Sequence, residues 1–264
     1  MNDRVAVAGG TGLIGRMVVD AARAAGQEPV VLARSAGVDV VTGAGLDAAL
    51  AGVDVVVDVV NIGTQRRGRA VEFFGTATAT LLRAERRAGV RHHLTLSIVG
   101  IDRVDTGYYA GKLRQEEVLA RGDIPWTILR STQFHEFAGQ LLDLVPGPVA
   151  IVPNLLSRPV AAREVAEHVV ALAGGPAIGR APEIAGPEER RMADLVRRLA
   201  RARGSRRAVW ELPALGAAAT AAAHGALLPS GTGPRGTETF EQWLIRTGGQ
   251  PNRSTPGDRV GGTR

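Results

Sequence analysis

Val5-Ala6-Val7-Ala8 runs straight into Gly9-Gly10-Thr11-Gly12-Leu13-Ile14-Gly15, and Arg16 to Arg23 follows with helical character. This reads as strand, glycine turn and helix. Glycines let the main chain turn tightly and approach a ligand with no Cβ in the way, and a helix N-terminus offers amide donors and the positive end of its dipole. Glu28-Pro29-Val30-Val31-Leu32-Ala33 then reads as a second strand. A glycine pattern alone is a weak signal; between a strand and a helix, with another strand after it, it predicts a site for a pyrophosphate. Gly9, Thr11, Gly12, Leu13, Ile14 and Gly15 are the expected cradle.

The end of the second strand bears on which dinucleotide would fit. A site for NAD usually places Asp or Glu about 20 residues beyond the glycines, to accept from the ribose hydroxyls. Here the chain has Arg34-Ser35. A guanidinium and a hydroxyl suit a 2′-phosphate, so the expectation is NADP(H). Two other readings stand beside it: Arg34 as one more surface arginine, and Asp39 reaching the adenosine from the loop.

The alternation continues. Strands are expected at 53–60, 91–97 and 125–130, with helices at 46–51, 70–88, 106–121 and 133–144. Such alternation argues for a parallel sheet covered on both faces, an α/β doubly wound fold of Rossmann type. Beyond Pro146 the elements shorten: a strand at 149–152, helices at 162–172 and 192–203, a sixth strand at 183–185, and an alanine-rich helix within 212–228 as a mobile cover. The expected organisation is a dinucleotide-binding core over 1–145, a smaller substrate-binding lobe over 146–247 packed on it, and a disordered tail over 248–264 rich in Gly, Pro, Ser, Thr and Arg. Ligands of such sheets bind beyond the carboxyl ends of the strands, where the glycine turn, Arg34, Asn61 and Ser97 all fall.

Lys112 is the sole lysine among 32 Lys and Arg residues, and Tyr108 and Tyr109 are the only tyrosines. Arginine serves this chain wherever a surface cation is wanted, so a retained lysine points to a site needing a compact ammonium. Tyr108 and Lys112 are spaced i, i+4 and share one helix face. An ammonium beside a phenol favours phenolate and lowers the tyrosine's pKa, and it can also donate to ribose hydroxyls. Ser97 ends the preceding strand and could hold a carbonyl oxygen, completing an acid and a second donor for hydride transfer. Tyr109, at i, i+3 from the lysine, is the rival phenol. Phe134 and His135 stand where a substrate loop is expected, although a core or capping role suits His135 as well. His92-His93 reads as structural.

These motifs resemble the short-chain dehydrogenase/reductase superfamily, and within it the atypical NmrA-like branch. The resemblance rests on Gly9-x-x-Gly12-x-x-Gly15, on Ser97…Tyr108-x-x-x-Lys112, and on Trp126 to Phe134 after the fifth strand, and it covers about residues 4–205. It implies a Rossmann-type fold, NADP(H) at the glycine turn and a small C-terminal substrate lobe. Asn61 follows the third strand without the usual Asn-Asn-Ala-Gly run, and the Ser-to-Tyr gap is short. The leading expectation is a reductase acting on a carbonyl or conjugated double bond of a small, largely apolar substrate. The alternatives are a dinucleotide-sensing regulator without turnover, and an epimerase or dehydratase using the cofactor transiently. A homodimer through the helices at 70–88 and 106–121 is a superfamily expectation.

Composition bounds the rest. The 264 residues contain no cysteine, which excludes disulfides and thiolate metal sites and fits a cytoplasmic protein. Net charge is +6, but the arginines are scattered over predicted helices among Glu and Asp, and only 4% of residues are aromatic. No specific nucleic-acid partner is expected. The apolar stretch 214–228 carries His224 and is too short to span a bilayer, so no membrane partner is expected either. No His, Asp and Glu set has metal-ligand spacing.

Overall fold

The structure, a computed structural model, describes residues 4–248. Its centre is a parallel sheet of six strands: β1 (Arg4–Ala8), β2 (Glu28–Leu32), β3 (Val55–Asp58), β4 (His92–Ile98), β5 (Trp126–Ser131) and, further along the chain, β8 (Gly179–Arg180). Their order across the sheet is β2-β1-β3-β4-β5-β8. The chain therefore reverses its direction of travel between β1 and β3, and the crevice at that switch point is where such sheets take their ligands.

Successive residues of β1 show how two-sided burial sets the register. Val5 and Val7 join one apolar cluster with Val18, Val57, Leu94, Leu129, Val165 and Val169. Ala6 and Ala8 join another with Leu32, Leu46, Val56, Phe74 and Leu81. The first cluster lies under α1 (Leu13–Ala24) and α6 (Ala162–Ala173); the second lies under α2 (Leu46–Ala49) and α3 (Arg67–Ala88). Each fully buried Val or Leu contributes roughly 1.5–3 kcal/mol. With both faces filled this way, the β-branched runs read in the sequence become central strands.

Helix α4 (Gly107–Ala120) lies beside α3. A Cβ at Gly111 would come 2.8 Å from the main chain and Cβ of Ala70, so the pair of small residues lets the two helices close up. Thr106 caps α4 by accepting from the Tyr109 amide.

The remaining elements form a second apolar centre. They are α5 (Phe137–Asp143), β6 (Val149–Pro153), β7 (Leu156–Ser157), β9 (Arg190–Arg191), α7 (Met192–Ala202), β10 (Ala208–Leu212), α8 (Ala217–Ala223) and α9 (Phe240–Thr247). Leu142, Val152, Leu195, Val196, Leu199, Phe240 and Trp243 pack together there. β6 pairs with β10 in parallel, and β7 pairs with β9 in antiparallel fashion. Residues 146–247 do not all stay in this lobe, because α6 packs on α1 and β8 extends the central sheet.

Three details depart from the sequence expectations. The helix expected from 133 starts at Phe137, because the His135 amide donates to Val160 and the Val160 amide to Gln133. The sixth strand pairs at Gly179–Arg180, while Ile184 and Ala185 make single bridges to Ser131 and Arg235. Of the alanine-rich stretch only Ala217–Ala223 is helical. The expected tail lies outside the described residues from 249 onward, and among those described no helix is long and apolar enough to cross a membrane.

Candidate dinucleotide and proton-transfer site

At the end of β1 the turn is built from main chain. Gly9 has φ of 81°, a left-handed conformation that suits glycine, and its carbonyl accepts from the Gly12 amide at 2.9 Å. A Cβ at Gly15 would lie 2.1 Å from that same Gly9 oxygen, so only glycine lets the first turn of α1 sit against the loop. Gly12 caps α1 with no side-chain partner, and the first turn carries no acid. The helix thus presents its N-terminal amides and dipole unopposed beside Thr11, Leu13 and Ile14, an arrangement that fits a pyrophosphate.

β2 delivers its own end to the same place: the Gly9 amide donates to the Leu32 carbonyl at 3.1 Å. Arg34 and Ser35 follow in a single exposed 3₁₀ turn, Arg34–Ala36. Asp39 lies in the loop that follows. Its carboxylate accepts from the amides of Val41 at 2.7 Å and Thr42 at 3.1 Å, which ties it into its own loop.

Across the crevice, the two tyrosines of α4 face different bodies. Tyr108 packs with the central-sheet cluster, edge-on to Phe74, and its hydroxyl donates to Asn61 Oδ1 at 2.7 Å. Asn61 lies in the loop after β3, on the far side of the switch point from the glycine turn. Tyr109 packs with the lobe. Burial, with a smaller contribution from Tyr109, pushes the Tyr108 phenol above its ordinary pKa, so it stays protonated at neutral pH.

Lys112 is 4% exposed, and its Nζ donates to the Leu96 carbonyl at 2.7 Å and to Gln115 Oε1. Burial draws its pKa down to about 8, against the opposing charges of Asp58 and Glu116. Tyr108 and Lys112 thus share a helix face, but the ammonium is turned down into the sheet.

Ser97 is not brought to Tyr108. Its hydroxyl, 1% exposed, donates to Glu116 Oε1 at 2.5 Å. Arg130 grips the same carboxylate through both of its oxygens, at 2.9 and 2.8 Å, and Arg180 adds a third cation contact at 2.8 Å. Burial alone would raise the Glu116 pKa; the bonds from Arg130, Ser97 and Arg180 outweigh it and hold the group below its ordinary value.

Phe134 is half-buried against the central core. His135 is buried beneath α9, donating from Nε2 to the Glu238 carbonyl at 3.0 Å and packing against Phe240 and Trp243. The segment after α8 is held against the loop after β4. Arg103 donates to the Leu228 carbonyl at 2.8 Å, and a Cβ at Gly100 would lie 2.0 Å from the Ala226 carbonyl oxygen.

Sequence reading passed over Asp58, Gln115, Glu116, Arg130 and Arg180. Signals for some of them were present. Asp58 interrupts a run of five valines, and Gln115 and Glu116 stand three and four residues beyond Lys112, on its helix face. Among the described residues, no cluster of His, Asp and Glu could hold a metal ion.

Residues 9–176 match the NAD(P)H-binding family. Several solved structures share the fold. A new type of NADPH-dependent quinone oxidoreductase from Escherichia coli is 18% identical, with 92% of this chain and 98% of that one covered and a TM-score of 0.64. A short-chain dehydrogenase/reductase superfamily protein from Agrobacterium tumefaciens with bound NAD is 18% identical over 93% and 96% of the two chains, with a TM-score of 0.65. A UDP-N-acetylglucosamine 4-epimerase from Bacillus cereus is 17% identical over 93% and 100%, with a TM-score of 0.62. No curated protein matches the sequence.

Proposed function

The chain belongs to the NAD(P)H-binding family, and we propose that it is of the atypical short-chain dehydrogenase/reductase type and works as an NADPH-dependent reductase. The substrate in this reading is a carbonyl or conjugated double bond of a small, largely apolar molecule. The observation that carries it is the Tyr108–Asn61 hydrogen bond at the switch-point crevice, one helical turn from the chain's sole lysine.

Gly9 to Gly15 hold the pyrophosphate. Arg34 and Ser35 would hold the 2′-phosphate, while one oxygen of Asp39 is engaged by its own loop. The bound cofactor supplies hydride. Tyr108, kept protonated by burial, donates the proton, and Asn61 fixes its hydroxyl. Lys112, whose ammonium is held by Leu96 and Gln115, enters this scheme only by turning toward the phenol or the ribose hydroxyls. Ser97 enters this scheme only by leaving Glu116. A cytoplasmic location and a homodimer through α3 and α4 belong to the same proposal.

The test is a calorimetric titration with NADPH and NADH, followed by NADPH oxidation with a panel of quinones. Tyr108→Phe is expected to cut turnover about 100-fold while leaving NADPH affinity nearly intact; unchanged turnover removes Tyr108 from the mechanism. A second reading, a dinucleotide sensor without turnover, is favoured by the commitment of Ser97 to Glu116. Tight cofactor binding with no oxidation by any acceptor would select it.

A further inference from the structure

Beneath Lys112 lies a closed set of buried polar side chains to which the hydride-transfer scheme gives no role. Gln115 accepts from the Lys112 ammonium with Oε1 and donates from Nε2 to Asp58 Oδ2 at 2.8 Å. Asp58 Oδ2 lies 3.8 Å from His93 Nε2, and His93 Nδ1 donates to Glu85 at 2.8 Å. Asp58, Glu85, His93 and Gln115 are all 0% exposed. β3 supplies Asp58, β4 supplies His93, α3 supplies Glu85 and the Phe74 ring 4.9 Å from Nζ, and α4 supplies Lys112 and Gln115.

Charges removed from water are tolerated only when paired and hydrogen-bonded. Here Lys112 reaches Asp58 through Gln115, and His93 sits between Asp58 and Glu85, so each basic group has a carboxyl group for a neighbour. Burial acts to neutralise His93, but Glu85 and Asp58 outweigh it and raise its pKa. The Gln115 amide has one workable orientation, oxygen to the ammonium and N–H to the carboxylate, because the reverse would set like poles together. The other carboxylate near Lys112, Glu116, is already matched by Arg130 and Arg180. Asp58 is therefore the main anion that Lys112 feels, and Gln115 is the spacer that fixes the separation.

We propose that Gln115 and Asp58, backed by His93 and Glu85, are positioning residues for Lys112 and set both the place and the charge of its ammonium. The idea rests on the reading of Lys112 as a functional ammonium; its test does not require turnover. Neutralising Asp58 removes the largest influence opposing burial, so Lys112 loses its proton at lower pH. Breaking the Gln115 bridge acts in the same direction.

The sole lysine makes this directly measurable, since protein grown with 13C-lysine gives a single Cε signal. That signal is titrated against pH in the parent, Asp58→Asn and Gln115→Met, with thermal midpoints confirming that each is folded. The expected result is a Lys112 midpoint lowered by about one pH unit or more in Asp58→Asn, and by less in Gln115→Met. NADPH affinity should weaken at pH 8 and recover at pH 6. If Asp58→Asn does not fold, Gln115→Met decides. An unmoved midpoint in a folded variant overturns the proposal. A shifted midpoint without turnover of any acceptor leaves it standing and removes the reductase reading instead.

Discussion

At the end of β1 the chain makes a site from its main chain, whereas along α4 it makes one from side chains whose direction other elements decide. Gly9 to Gly15 use glycine and the start of a helix, so seven neighbouring residues supply most of the geometry. Lys112 shares a helix with Tyr108, yet its ammonium follows Leu96, Gln115 and Asp58, from β4, α4 and β3. Local sequence carries the first kind of geometry almost whole. For the second it carries the components but not where they point.

The sharpest way to break the contrast is at the turn. Gly15→Val drives a side chain into the Gly9 carbonyl and should cost about 3 kcal/mol of stability, with dinucleotide binding lost. Chemical denaturation and calorimetry would read both; retained NADPH binding would mean that the cradle is not where the cofactor sits. Next comes the side-chain site. Glu116→Gln removes the charge that Arg130 and Arg180 share, and should cost about 2 kcal/mol at neutral pH. Because Glu116 is held below its ordinary pKa, its contribution is present above the unfolded carboxylate pKa and fades as pH falls through the lower folded value. The gap between parent and variant should therefore narrow on acidification, as denaturant midpoints from pH 7 to pH 3 would show. The smallest effect is expected from Arg34→Asp, about a tenfold loss of NADPH preference over NADH, with stability unchanged. An unaltered preference would take Arg34 out of the cofactor site.

The same contrast explains what could be read in the sequence. The parallel α/β fold was legible because both faces of its strands are filled by adjacent residues of the same short runs. The boundary near 133 was misread because Phe134 and His135 look helical locally, while Val160, 25 residues on, claims their main chain. α9 was passed over even though Thr239 and Gln242 form a capping box, a signature visible as Thr-x-x-Gln. Ser97 could be placed at a strand end from sequence. That its hydroxyl would meet Glu116 depended on Arg130 and Arg180 arriving from β5 and β8, which no local pattern encodes.

Gly100 has one more consequence. The loop after β4 and the segment after α8 touch main chain to main chain there, with φ of 76° at the glycine and no side chain between them. A contact of that kind cannot be adjusted in increments, because the smallest available change, a single methyl group, already acts as a wedge. The spacing of the two segments at that point therefore has one setting with glycine and a discontinuous jump with anything else. Any change in the position of α8 would have to come through its own alanines and leave this anchor alone.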